Sequence, residues 1–196
     1  MRYQHNEKVN ITEESYEYVL SYKRQLLKHI TDLLNDLSIR FVISHGNLIE
    51  CERGKPIYQD DDLDIRFCLD DLEKWETYCS DIKNKNNPKY NLIFDKRFGD
   101  INKQKHNGIQ SRLITFENKD DIKTFSAMDI HCDLVASVVA IKMWMNYNID
   151  FNNLRKVTLY DVATSAPNKR DTKKVLTRQY GKTYMLPWKR YRNFNL

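Results

Sequence analysis

The stretch PIYQDDDLDIRF, Pro56 to Phe67, places Asp60, Asp61, Asp62 and Asp64 within five positions and runs straight into a β-branched and aromatic segment. That segment has the composition of a buried strand. The charges ahead of it repel one another, so they must sit where water, hydrogen-bond donors or a cation offsets them. Residues two apart on a strand share a face, so Asp62 and Asp64 project side by side, with Asp60 just upstream able to join them. A divalent cation is one offset: hard carboxylate oxygens select Mg²⁺ or Mn²⁺, which keep coordination positions for water and substrate phosphates. The plainer reading is a solvated acidic turn, and an acidic triplet alone is that more often than not.

Two further features weigh against the plain reading. The short β-rich run RFVIS, Arg40 to Ser44, ends at His45-Gly46, where glycine lets the backbone turn and approach a ligand closely. It is followed by HGNLIECER, which reads as a helix whose free N-terminal N–H groups suit a phosphate. Further on, MDIHCD supplies Asp129 between Met128 and Ile130, a third carboxylate on another expected strand. A strand ending in glycine, a D-h-D pair on the next strand and a distant single aspartate form the active-site pattern of the nucleotidyltransferase superfold.

At 196 residues the chain is long enough for one domain with a full core, and we expect a single domain over 1–196. Apolar residues at helical spacing from Ile11 to Leu37, with Asn10 or Thr12 as the cap, predict an amphipathic helix, and Asp70 to Lys85 predicts a second. Strands are expected at LDIRFCL, YNLIFD and SRLITFE, with a loop around Pro88 and a polar segment from Gly99 to Gly108. The run from Phe125 to Met145 begins as a strand, and periodicity leaves its buried continuation open between helix and strand. The expected fold class is α+β: a nucleotidyltransferase-like mixed central sheet flanked by helices, with helical pieces and loops of the C-terminal third wrapped on it.

The net charge of +5 points to an anionic partner, and the basic residues crowd the C-terminal part, from Lys169 and Arg170 to Lys189, Arg190 and Arg192. A solvated surface explains that crowding as well as phosphate binding does. Cys51, Cys68, Cys79 and Cys132 form no C-x-x-C pair, and we read them as free thiols. The N-terminus has no signal-peptide apolar core and no run reaches the roughly 18 apolar residues of a membrane span, so a soluble, cytoplasmic chain without a membrane span is expected.

Four blocks together resemble the LicD family of fukutin-like phosphotransferases. They are GNLIECER (Gly46 to Arg53), IYQDDDLDI (Ile57 to Ile65), MDIH (Met128 to His131) and YGKTYMLP (Tyr180 to Pro187), in the family's order. Asn47 and Glu50 stand where the family has threonine and its second glycine, and Tyr58 and Gln59 stand for its proline and tryptophan. The resemblance implies a transferase that moves a phospho-alcohol, such as phosphocholine or a polyol phosphate, from a CDP-linked or other nucleotide-activated donor to a glycan hydroxyl. It implies Mg²⁺ or Mn²⁺ as cofactor, Asp62 and Asp64 as principal metal ligands, Asp60 as an additional one, and Asp129 as the third-strand carboxylate. Asp129 is also the candidate base for the acceptor hydroxyl.

Gly46, Asn47 and Arg53 would face the donor phosphates, Arg53 through its planar fork. A surface role is the bland alternative for Arg53. For His45, His131 and Asp133 a place in the cleft and ordinary packing are evenly matched. For Tyr180-Gly181 a glycine-capped helix end is the favoured reading. Lys182 and Arg178 are candidates for the diphosphate, with solvated side chains the commoner case. The alternative function is a nucleotidyltransferase that attaches NMP to a small molecule, a protein or an RNA end. Nucleic acid is an unlikely partner as such, since no recognised nucleic-acid motif is present and the acidic cluster repels phosphate unless metal is bound.

Overall fold

Tyr16, Val19, Leu26, Leu27, Ile30 and Leu34 line one face of the first helix and are all buried, which is why residues Glu13–Asp36 form α1 against the core. The same stripe contains Lys23, fully buried among them. The computed structural model describes residues 13–57, 60, 62–85, 91–94, 108–114, 135–141, 143–144 and 147–186. The expected caps of α1, the loop around Pro88, the polar segment ending at Gly108 (apart from Gly108 itself), Asp129 with its neighbours Met128, His131 and Asp133, and Pro187 with the basic residues after it lie outside those residues.

After α1 come β1 (Phe41–Ile43), α2 (His45–Arg53), β2 (Asp62–Cys68), a short 3-10 turn and α3 (Leu72–Lys85). Then follow β3 (Asn91–Phe94), β4 (Gly108–Ile114) and β5 (Val135–Ile141). These strands form a five-stranded sheet in the order β1-β2-β5-β4-β3. It is mixed: β2 and β5 run parallel, and the other pairs run antiparallel. The fold class is α+β, a mixed central sheet flanked by helices, as expected.

β5 settles what the run after Phe125 left open. It pairs with β2 on one side and β4 on the other, and Val138 to Ile141 are buried consecutively. A central strand covered on both faces has no polar side to alternate with, so its sequence carries no period-two signature. β2, by contrast, does alternate: Leu63, Ile65 and Phe67 are buried, while Asp62, Asp64 and Arg66 share the other, partly open face.

The C-terminal third holds the expected helix, α4 (Lys169–Tyr180), together with strands that the sequence did not announce. β6 (Met143–Trp144) pairs with β7 (Tyr147–Asn148), and β8 (Leu154–Leu159) pairs with β9 (Val162–Pro167). The β8–β9 turn is Tyr160-Asp161, both with positive φ (51° and 60°), as a type I′ hairpin turn requires. Tyr-Asp lacks the Asn-Gly signal that marks such turns, which is why the hairpin escaped. β9 packs beside β1 and α1, where Thr164 and Thr31 exchange a hydrogen bond of 3.2 Å in the core. This places Tyr160 against α2. No helix among the described residues is long and apolar enough to cross a membrane.

Candidate active site

Ser44 and His45 make the turn from β1 into α2. The Ser44 backbone N–H donates to Asp64 O at 2.8 Å, and its hydroxyl donates to the same oxygen at 3.1 Å. His45 follows with φ of 48°, a left-handed conformation that a residue with a Cβ adopts only under constraint. The chain thus reverses from strand to helix in one residue, directly beside Asp64. Sequence placed the conformational demand on Gly46, but the positive φ belongs to His45.

Gly46 serves a different purpose. A Cβ on it would stand 2.6 Å from both carboxylate oxygens of Asp60. The close approach that the glycine permits is therefore made by the protein's own carboxylate.

Asp60 is held from below as well. Lys23 Nζ donates to Asp60 O at 2.8 Å and to Asp60 Oδ2 at 3.2 Å, and it lies 3.9 Å from Glu50 Oε2. It also sits over the Tyr160 ring, 5.3 Å from its centroid. Glu50 accepts from Ile57 N–H at 2.6 Å and from the Tyr160 hydroxyl. Burial pushes the Glu50 carboxyl up, with Lys23 opposing it, and burial beside Glu50 pushes the Tyr160 phenol up. Asn47 completes this buried layer: its Oδ1 accepts from Asp64 N–H at 2.7 Å, and its Nδ2 reaches Asp60 Oδ2, Asp62 O and Tyr160 Oη at 3.3–3.4 Å. Asn47 holds the acidic strand in place.

Asp62 and Asp64 lie on the upper face of β2, level with Val135 and Ser137 of β5. His45 Nδ1 is 3.5 Å from Asp64 Oδ2 and 3.1 Å from Ser44 Oγ. Burial, reinforced by the Arg66 charge, holds the His45 pKa down at about 3, so the ring is neutral near neutral pH and its approach to Asp64 is a polar contact, not an ion pair. Arg66 Nη2 lies 3.3 Å from His45 Nδ1 and 3.4 Å from its Nε2, so the guanidinium meets the ring beside Asp64. The Tyr180 phenol at the end of α4 is pushed up by burial and then by Asp64, Asp60 and Asp62, which places it in the field of the same three carboxylates.

Arg53 reaches the C-terminal turn. Its guanidinium donates to the carbonyls of Tyr184 (3.1 Å from Nε) and Leu186 (2.5 Å from Nη2), pinning the turn after α4. Gly181 ends α4 with φ of 80° and donates its N–H to Thr177 O at 2.9 Å, the structural role expected of it. Arg178 and Lys182 are exposed. Of the cysteines, Cys51 and Cys68 are free thiols. The sequence reading missed Lys23, Glu50, Tyr160 and Arg66. A lysine inside the α1 apolar stripe was the available signal for the first, and Arg66 at the spacing of the aspartates was the signal for the last.

The donor chemistry suits a hard divalent cation: Asp62 and Asp64 present carboxylates on one partly open strand face, and Mg²⁺ characteristically takes one or two carboxylates plus substrate phosphates. Among the described residues no set of three or more His, Cys, Asp or Glu side chains is grouped to hold a metal ion.

No family model matches the chain, and no curated protein matches it. Among solved structures it is similar to the lincosamide antibiotic adenylyltransferase LnuA, determined with lincomycin bound. The TM-score is 0.41 at 13% sequence identity, over 83% of this chain and 84% of that chain.

Proposed function

We propose that this chain is a divalent-metal-dependent transferase of the nucleotidyltransferase kind, which moves the NMP group of a nucleoside triphosphate onto a hydroxyl of a small molecule. The observation that carries the reading is the junction of the Ser44–Gly46 turn with Asp64. A strand-to-helix reversal is hydrogen-bonded to the acidic strand at 2.8 Å, and it brings the start of α2 beside the paired carboxylates. In this reading Asp62 and Asp64 hold Mg²⁺ or Mn²⁺, which when bound offsets charge on the donor phosphates. Asp60, tied to Lys23, anchors the strand beneath them. The α2 N-terminal N–H groups face the donor, Gly46 makes room for the Asp60 carboxylate, and Asn47 keeps Asp64 in register through its backbone. Little covalent chemistry falls to the protein in such a transfer, so rate comes from positioning and electrostatics. The proton of the acceptor hydroxyl goes to a carboxylate, for which Asp129 is the candidate.

A second reading, LicD-type transfer of a phospho-alcohol from a CDP-linked donor to a carbohydrate, is favoured by one specific contact. Arg53, which closes the first resembling block, grips Tyr184 and Leu186 of the last. Two blocks distant in sequence are joined as a unit.

The two readings differ in which product carries the nucleotide. The purified chain with Mn²⁺ is incubated with a set of acceptors and either base-labelled nucleoside triphosphates or CDP-choline. Label appearing on an acceptor with pyrophosphate release supports the first reading; CMP release with phosphocholine on a glycan replaces it with the second. Asp62→Asn and Asp64→Asn each should abolish Mn²⁺ binding measured by titration calorimetry while the chain stays folded, and unchanged Mn²⁺ affinity in both would overturn the metal site.

A further inference from the structure

The face of β2 that carries Asp62 and Asp64 continues to Arg66, two residues on, so three charged side chains stand in file on one side of the strand. The Arg66 guanidinium is half-buried and meagrely partnered. Nη2 lies 3.3 Å from His45 Nδ1 and 3.4 Å from its Nε2, and Nη1 lies 3.5 Å from Ile65 O, at the limit of a hydrogen bond. A guanidinium has five N–H donors, and among the described residues no carboxylate lies within 4 Å of this one. Its neighbours on the same strand face, Asp64 and Asp62, nevertheless carry charge. A desolvated cation with open donors wants an anion.

We infer that Arg66 is a ligand for the donor's phosphate groups, the fixed cation that works beside the metal on this strand. The inference rests on the nucleotide-donor reading above. A divalent ion between Asp62 and Asp64 would cancel their two charges, and Arg66, next on the same face, would leave that face attractive to a polyphosphate. Its planar fork pairs with phosphate oxygens in two parallel hydrogen bonds, a geometry that lysine does not reproduce. His45, oriented by Ser44, supports Nη2, and Nε makes no hydrogen bond among the described residues. Arg66 also bears on the metal: a cation near the two carboxylates weakens their hold on a second cation when no phosphate is bound.

The test uses the full chain, with nucleoside triphosphate as the probe. Titration calorimetry measures nucleotide affinity at saturating Mn²⁺, and Mn²⁺ affinity without nucleotide, for the wild type, Arg66→Gln and Arg66→Lys. Arg66→Gln should weaken nucleotide binding by about tenfold or more, the loss of a charge-assisted pair. It should bind Mn²⁺ alone several-fold more tightly, a change that no merely structural role produces. Arg66→Lys should recover part of the nucleotide affinity. If the wild type binds triphosphate and both variants bind it equally well, Arg66 is not a phosphate ligand, although the proposed function stands. If the wild type binds no nucleotide with Mn²⁺, both fall. Should Arg66→Gln fail to fold, Arg66→Lys decides alone: wild-type affinity for both probes overturns the assignment, and weakened nucleotide binding supports it.

Discussion

Lys23 and Asp60 stand 37 positions apart in the chain and meet as a partly buried pair: the ammonium donates to the aspartate's carboxylate at 3.2 Å and to its carbonyl at 2.8 Å. One cation thus fixes both the side chain and the backbone of a residue just ahead of the acidic strand. The position of Asp62 and Asp64 depends on it.

Lys23→Met should therefore be strongly destabilising although methionine fits an apolar stripe. It leaves Glu50 and Asp60 facing each other in a desolvated layer, and removing one partner of a buried pair costs about 3–5 kcal/mol. Denaturant unfolding reads this directly. Adding Glu50→Gln, which removes one of the stranded charges, should return part of the loss, and a strictly additive double mutant would contradict the pairing.

Gly46→Ala should cost about 1–3 kcal/mol, because its methyl would stand 2.6 Å from the Asp60 carboxylate, which Lys23 keeps from moving aside. The penalty should shrink when Asp60 is also replaced by Ala. A double-mutant cycle checks this, and no coupling between the two positions would show that the glycine is needed for something else.

Asp71, buried at the start of α3, gives a pH dependence. Burial alone would raise its pKa, but Arg40, donating from its backbone N–H at 3.0 Å and from Nε at 2.9 Å, and Lys74 at 3.0 Å hold it below the ordinary carboxylate value. A depressed folded pKa contributes stability that is fully present above the unfolded value, about 3.9, and is lost as pH falls through the folded one. Asp71→Asn should cost about 1.5–3 kcal/mol at neutral pH. The difference from wild type should narrow below about pH 4 in urea unfolding curves taken across that range.

Arg53→Ala should loosen the turn from Gly181 to Leu186, since it removes the donors to Tyr184 O and Leu186 O. Trypsin should then cut at Lys182 faster than in the wild type under native conditions, as mass spectrometry of timed digests would show. An unchanged cleavage rate, with nucleotide affinity lost instead, would restore Arg53 to phosphate binding.

Much of this was written in local sequence. α1, β2 and α3 follow from apolar periods of 3.6 and 2, because each buries one stripe or one face, whereas β1 follows from its short β-rich composition and α2 from the turn that ends it. The shared face of Asp62 and Asp64 follows in the same way from the two-residue repeat. Three things did not. β5 is hidden because both its faces are covered. The β8–β9 hairpin is hidden because Tyr160 and Asp161 adopt positive φ without the residues that usually mark it. The layer beneath the aspartates is hidden because Lys23, Glu50 and Tyr160 meet across the fold, from α1, α2 and the hairpin turn. Periodicity reports whether a residue faces inward; which charges confront one another once inside is decided by how the elements pack. That is why the carboxylate pair was legible from the chain alone, whereas the lysine that anchors its strand and the arginine's open donors emerged only in three dimensions.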